Sequence, residues 1–242
     1  MGHRIFLAGA SGAIGQRLIP QLLAAGHEVT GTTRNADKAE KLLALGVEPF
    51  VVDAFDAGAL SRAMGAIRPD VVVHQLTDLP RGLDPNRMGE AIVRNARIRD
   101  EGTRNLVAAA VASGVRRMVA QSIAWAYAPG QEPHGEADPL EDGASGNRGI
   151  SVGGVIALEK AVLNAPFAGV VLRYGQLYGP GTGTETAAGA SPVHVDAAAY
   201  AALLALDKGA PGIFNVAEPN QAVSTQKSVE QLGWRADFRL PA

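Results

Sequence analysis

No cysteine occurs in the 242 residues, which excludes disulfides, thiolate metal sites and a cysteine nucleophile. Apolar runs long enough for a signal peptide or a membrane span are missing as well, since glycine and serine interrupt the starting stretch MGHRIFLAGASG at once. A cytoplasmic location is therefore expected. Nor is there an excess of one charge: 22 Lys+Arg stand against 24 Asp+Glu, for a formal net charge of −2, with the basic residues spread along the chain. No nucleic acid and no membrane surface is expected as a partner. The five histidines are scattered with no two at ligand spacing, so no metal site is expected either. A small-molecule partner remains.

Apolar material is plentiful. Hydrophobic residues make up 47% of the chain and charged residues 19%, enough for a sizeable core. β-Branched runs (RIFLAGA, HEVTGTT, VEPFVVD, DVVVHQL, RRMVAQS, GVVLRYG) alternate with helical stretches such as AIGQRLIPQLLAAG. That rhythm predicts an α/β fold with a doubly wound parallel sheet, its strands covered on both faces. Two segments rich in Gly, Pro and acids interrupt it, Ala128 to Gly149 and Tyr178 to Pro192. Both read as lids or mobile loops after strand ends, where ligands bind in open α/β sheets.

The first strand runs directly into GASGAIG, which places Gly9, Gly12 and Gly15 at the turn into a helix, with Ser11, Ala13 and Ile14 between them. Glycines allow backbone to approach a pyrophosphate closely, and the helix N-terminus offers free N–H donors. A dinucleotide site of the Rossmann type is expected here. The second strand ends in GTTRN: Thr32 and Thr33 carry no negative charge for a ribose 2′-OH, whereas Arg34 can pair with a 2′-phosphate. NADP is expected as cofactor, with NAD as the alternative.

The GxxGxxG spacing resembles the short-chain dehydrogenase/reductase superfamily, and further motifs resemble its extended epimerase/dehydratase branch and atypical relatives. On that resemblance, Asp53 and Ala54 in VVDAFD flank the adenine, and His74 to Thr77, including Leu76 and Thr77, line the cofactor. LRYGQLYGPG resembles the strand and YGP turn at the nicotinamide end. Tyr174 is counted with the cofactor residues there, although its ring and that of Tyr178 also read as packing. GIFNVAEP resembles the closing strand, so the likeness spans nearly the whole chain.

The resemblance also implies a catalytic tyrosine, a lysine four residues on, and a serine or threonine after strand five that holds the reacting oxygen. Ser122 matches the last. Aligning Glu159 with a glutamate common in extended members puts Ser151 in the tyrosine position and Val155 in the lysine position; using Lys160 instead puts Ile156 where tyrosine belongs. No YxxxK exists in either register. Arg99 stands where an asparagine is implied, with Asn95 one turn earlier. Tyr127 is the expected substitute proton donor. His194 reads as a residue that orients a loop or lines a pocket rather than a base, and His134 as an exposed loop residue. Gly153 and Gly154 either let the cofactor approach or permit tight packing against a neighbouring helix or subunit.

Residues 1–175 are expected to form the NAD(P)-binding domain, and 176–242 a reduced substrate-binding region interleaved with the last sheet elements. So short a C-terminal part suits a compact substrate, or a site completed by a second copy in a homodimer. The expected function is an NADP-dependent oxidoreductase of the atypical short-chain class acting on a small carbonyl or alcohol. The alternatives are an epimerase/dehydratase or a non-catalytic NADP-binding sensor.

Overall fold

The structure, a computed structural model, describes residues 2–241. Seven strands form one parallel sheet in the order β3-β2-β1-β4-β5-β6-β9. They are β1 (Arg4–Ala8), β2 (Glu28–Thr33), β3 (Glu48–Val51), β4 (Val71–His74), β5 (Arg117–Ile123), β6 (Ala168–Tyr174) and β9 (Gly212–Val216). The chain order reverses between β1 and β4, which are paired with Leu7 opposite Val73. At such a switch point a crevice opens beyond the carboxyl ends of the strands.

Side chains alternate across the sheet and build two cores. Ile5, Leu7, Val73 and Leu172 face helices α1 (Ala13–Ala24) and α7 (Val195–Leu204). Phe6, Ala8, Val72 and Val171 face α3 (Ala57–Ile67), α5 (Thr103–Ala112) and α6 (Gly146–Leu163). Helix α2 (Ala36–Ala44) starts at Asn35, whose side chain accepts from the Asp37 N–H at 2.7 Å. Helix α4 (Met88–Arg97) continues into α5 through a π-helical turn, Ile98–Gly102. A small parallel pair, β7 (Gln176–Tyr178) and β8 (Pro192–His194), lies outside the main sheet.

The segment Ala128 to Gly149 is not a free lid. Tyr127 bridges to Leu140 and His134 to Val223, the His134 N–H donates to Ala222 O at 2.9 Å, and α6 already begins at Gly146. His134 is buried, stacked on Tyr127, and therefore not the exposed loop residue expected. Near the C-terminus, Trp234 is buried and donates from its indole N–H to Ala197 O at 2.8 Å. That end packs under α7. Among the described residues no helix is long and apolar enough to cross a membrane.

Candidate active site

A cleft of about 1550 Å³ opens at the switch point. Its floor is the glycine turn. Gly9 has φ +89° and its missing Cβ would lie 2.5 Å from Gln75 O, so only glycine fits. Gly12 caps α1 in extended conformation with no side-chain cap and no acid in the first turn, which leaves backbone N–H groups and positive dipole for an anion. Gly9, Ser11, Gly12 and Ala13 line the cleft. Ile14 instead turns into the core. Gly15 faces the loop, where a Cβ would meet Gly9 O at 2.4 Å; it permits the helix to seat rather than touching a ligand.

At the next station, Thr33, Arg34, Asn35 and Lys38 line one wall, with Ala54, Leu76 and Thr77 opposite. Arg34 is half-exposed, 3.7 Å from Asp78. Asp53 is exposed, between the lining residues Val52 and Ala54, and its Oδ1 accepts from the Phe55 N–H at 2.9 Å, closing a local turn. His74 is buried behind the wall, with its ring between Thr103 Oγ1 and the Leu76 N–H.

At the far end β5 and β6 lie with Ser122 opposite Arg173 and Ile123 opposite Tyr174. Ser122 lines the cleft, but its Oγ donates to Glu159 Oε1 at 2.7 Å. Glu159 also receives a bidentate pair from buried Arg173 at 2.9 and 2.7 Å. Burial acts to lower the Arg173 pKa, but the Glu159 hydrogen bonds and charge outweigh it and hold it above the ordinary value. A hydroxyl has one proton, and here it points at a carboxylate. Ser122 thus offers the cleft a lone pair, not the donor expected of an oxyanion holder.

Tyr127 does not serve as proton donor to this cleft. Its hydroxyl donates to Asn215 Oδ1 at 2.7 Å, its ring lies against Arg173 and His134, and it does not line the cleft. Burial pushes its phenol pKa up. His194 caps α7 by accepting from the Asp196 N–H at 3.2 Å, with its ring edge-on to Tyr178. Tyr178 donates to Glu218 at 2.6 Å.

Two cleft residues carry orphaned polar atoms. Tyr174 Oη and both amide atoms of Gln75 are buried without a well-formed hydrogen bond among the described residues; the two side chains face each other closely enough for Gln75 to act on the Tyr174 phenol, and both residues line the cleft. Buried polar groups are rarely left so. Together with the uncapped helix, they make the cleft chemically suited to an extended, polar, anionic ligand such as a dinucleotide. Gln75 lies within the segment His74 to Thr77 expected to line the cofactor, whereas no motif points to Trp125, Asn147 or Arg148, which also line the cleft. An arginine in the apolar run VVLRYG was the one signal of the Glu159–Arg173 pair.

Ser151 lines the cleft, while Val155 is buried behind it with Ile123 and Val152. Arg99 reaches Ser151 from the π-helical turn: its Nη1 lies 3.4 Å from Ser151 Oγ and 3.5 Å from Ser151 O. Burial lowers the Arg99 pKa to about 10, opposed by the charge of Glu159. Gly153 and Gly154 do not line the cleft, so they give no approach to a cofactor. A Cβ on Gly154 would lie 2.9 Å from Ala96 Cα on α4, and one on Gly153 would meet nothing within 4 Å.

Comparison with known proteins agrees with this geometry. A family described as NAD(P)H-binding matches residues 9–146. The chain is 40% identical over 244 residues to 3-diazoavenalumate denitrifying reductase from a Streptomyces species, covering 92% of this chain and 78% of the relative. In fold it is similar to the Bordetella bronchiseptica enzyme WbmG, solved in complex with NAD, with TM-score 0.76 at 21% identity and 99% and 91% of the two chains covered. It is also similar to a Thermus thermophilus UDP-glucose 4-epimerase solved with NAD, with TM-score 0.78 at 22% identity and 98% and 95% covered. The chain belongs to the NAD(P)H-binding family, whose matched region takes in the glycine turn and the strands that follow it.

Proposed function

We propose that this protein is an NADPH-dependent reductase that presents a compact, activated substrate to hydride without a side-chain proton relay. One observation carries the reading: among the described residues lining the cleft there is no histidine, aspartate or glutamate, and neither register of the family's tyrosine and lysine finds that pair in the sequence. Tyr174 is the one phenol in the lining, and burial pushes its pKa up, which makes it a poor acid at neutral pH.

The reduced cofactor, when bound, supplies hydride. The chain's residues do the holding. Backbone N–H groups from Gly9 to Ala13 take the pyrophosphate, and Arg34 with Lys38 and Lys41, all in the lining, favour a 2′-phosphate over a bare ribose. Gln75 and Tyr174 satisfy their orphaned polar atoms on the ligand. Residues 1–175 supply this cofactor side. Among the described residues of the rest of the chain, those between Gln176 and Gly189 alone reach the cleft lining, which favours a compact substrate. Orientation of this kind contributes roughly 7–11 kcal/mol to a bimolecular step.

An unactivated ketone makes an alkoxide that needs a proton. A diazo carbon does not: an aryl diazonium cation plus hydride gives an arene plus dinitrogen, balanced in atoms and charge. The Streptomyces relative is named for a denitrifying reduction of 3-diazoavenalumate, and a substrate activated in this way suits a cleft whose described lining holds no histidine or carboxylate. The test is NADPH consumption with an aryl diazo compound and with a matched ketone, using C4-deuterated NADPH and product analysis. Deuterium at the former diazo carbon, with dinitrogen released faster than without protein, supports the reading. Preferential reduction of the ketone overturns it, and so does tight NADPH binding without turnover of either, which would leave a sensor.

A further inference from the structure

Among the described residues, five arginines or lysines line the cleft, Arg34, Lys38, Lys41, Arg99 and Arg148, against no acidic residue. Four of them have an evident place. Arg34, Lys38 and Lys41 stand with the second strand and α2, and Arg148 is bound by Glu141 at 2.8 Å and by Trp125 O at 2.7 Å. Arg99 has no such tie.

Its neighbours show how unusual that is. Arg97 and Arg104, on the same run of helix, are exposed and Arg94 is half-buried, and each pairs with a carboxylate. Arg99 is 6% exposed and makes no ion pair among the described residues. Glu159 is the carboxylate whose charge it feels, yet both Glu159 oxygens are engaged by Arg173. Two buried cations therefore share one anion. An uncompensated buried charge is costly unless something neutralises it. Its long contacts to Ser151 also leave most of its five donors unused.

We infer that Arg99 is the seat for a carboxylate on the substrate, and that the substrate is an aromatic or similarly apolar acid. The π-helical turn sets Arg99 inward, in a geometry that recurs at functional sites. The apolar body has walls to meet: Trp125, Leu79 and Leu83 all line the cleft although these residues are 41%, 38% and 46% exposed. Exposed large apolar groups gathered in one cleft mark a ligand surface. The inference rests on the reductase reading, and it removes a difficulty there. A carboxylate on the substrate offsets the charge that a diazonium group would bring among these cations.

The probes are cinnamate and methyl cinnamate, titrated calorimetrically into the protein saturated with NADP+. The acid is expected to bind about tenfold or more tighter than its ester, the range for a charge-assisted pair. Arg99→Met should erase that preference, and Arg99→Lys should restore part of it while losing the bidentate geometry. The NADP+ affinity should stay within about threefold in both variants. Equal binding of acid and ester by the unaltered protein overturns the inference without any variant. So does a preference that survives Arg99→Met, or a loss in which NADP+ affinity falls instead, because Arg99 would then serve the cofactor. Failure of the two readings is separable: acid preference without any hydride transfer defeats only the reductase, and hydride transfer at equal kcat/KM to a diazo acid and its ester defeats only the carboxylate seat.

Discussion

Ser122 Oγ donates to Glu159 Oε1 across 2.7 Å, and the same carboxylate is clasped by Arg173. The serine is thereby a member of a buried charge network before any substrate arrives. Its family counterpart holds a reacting oxygen, and losing such a donor costs about 10² to 10³ in rate. Here Ser122→Ala should lower single-turnover hydride transfer by less than about tenfold. Glu159→Gln should be worse for folding than for chemistry. It leaves Arg173 buried without a counter-charge, which costs about 3–5 kcal/mol in urea unfolding. A Ser122→Ala rate loss in the hundreds would show that the hydroxyl turns to the substrate during the reaction.

Arg34 makes a different kind of prediction, because it acts on recognition alone. It lines the cleft half-exposed, and its partner Asp78 stands at a loose 3.7 Å. Arg34→Ala should weaken NADPH by about tenfold and leave NADH nearly unchanged. Fluorescence titration of both cofactors decides it. Equal losses would mean that the guanidinium holds the cleft wall rather than the 2′-phosphate.

Much of this site was legible because the backbone demanded it. Gly9 needs positive φ and has no room for a Cβ, so its identity announces the turn, and continuous apolar strands announce a sheet covered on both faces. Side-chain partners separated in sequence announced nothing. Tyr127 follows Ser122 by five residues, yet its direction is set by Asn215, 88 positions away, and it points away from the cleft. Asp53 shows a local constraint that the motif alone does not: its Oδ1 closes its own turn by accepting from the Phe55 N–H, a choice that short polar side chains make locally. Arg99 was visible as a departure from the family's asparagine. What hid its meaning was the π-helical turn, whose extra residue per turn shifts the register of every side chain after it and leaves no mark in hydrophobic periodicity.

His74 should make the fold acid-sensitive. It is fully buried, and burial with help from the Arg99 charge lowers its pKa from 6.5 to about 4. The neutral ring is the native one, so His74 costs nothing above the unfolded value. As pH falls below 6.5 the unfolded chain takes up a proton that the folded one refuses, and stability drops until about pH 4, where the folded ring titrates too. Linkage puts the loss at about 2 kcal/mol by about pH 5. Urea midpoints measured from neutral to acid pH should show that slope, and His74→Gln should flatten it. An unchanged slope in the variant would assign the acid sensitivity to other groups.

Gly153 and Gly154 are adjacent on α6 and should respond oppositely to the same substitution. A Cβ on Gly154 would sit 2.9 Å from Ala96 Cα and 3.2 Å from Ala96 Cβ. Backbone cannot yield there without moving α4, and α4 leads directly into the turn that carries Arg99. Gly154→Ala should therefore destabilise by about 1–3 kcal/mol through overpacking, and should weaken acid binding more than NADP+ binding as Arg99 shifts. Gly153 meets open space on a helix with ordinary φ, so Gly153→Ala gains helix propensity and should stabilise by up to about 1 kcal/mol. Thermal melts of the two variants beside the parent protein read both signs at once. Stabilisation by both would mean that α4 and α6 are not held at this distance, and destabilisation by both would mean that a second surface covers Gly153 in solution.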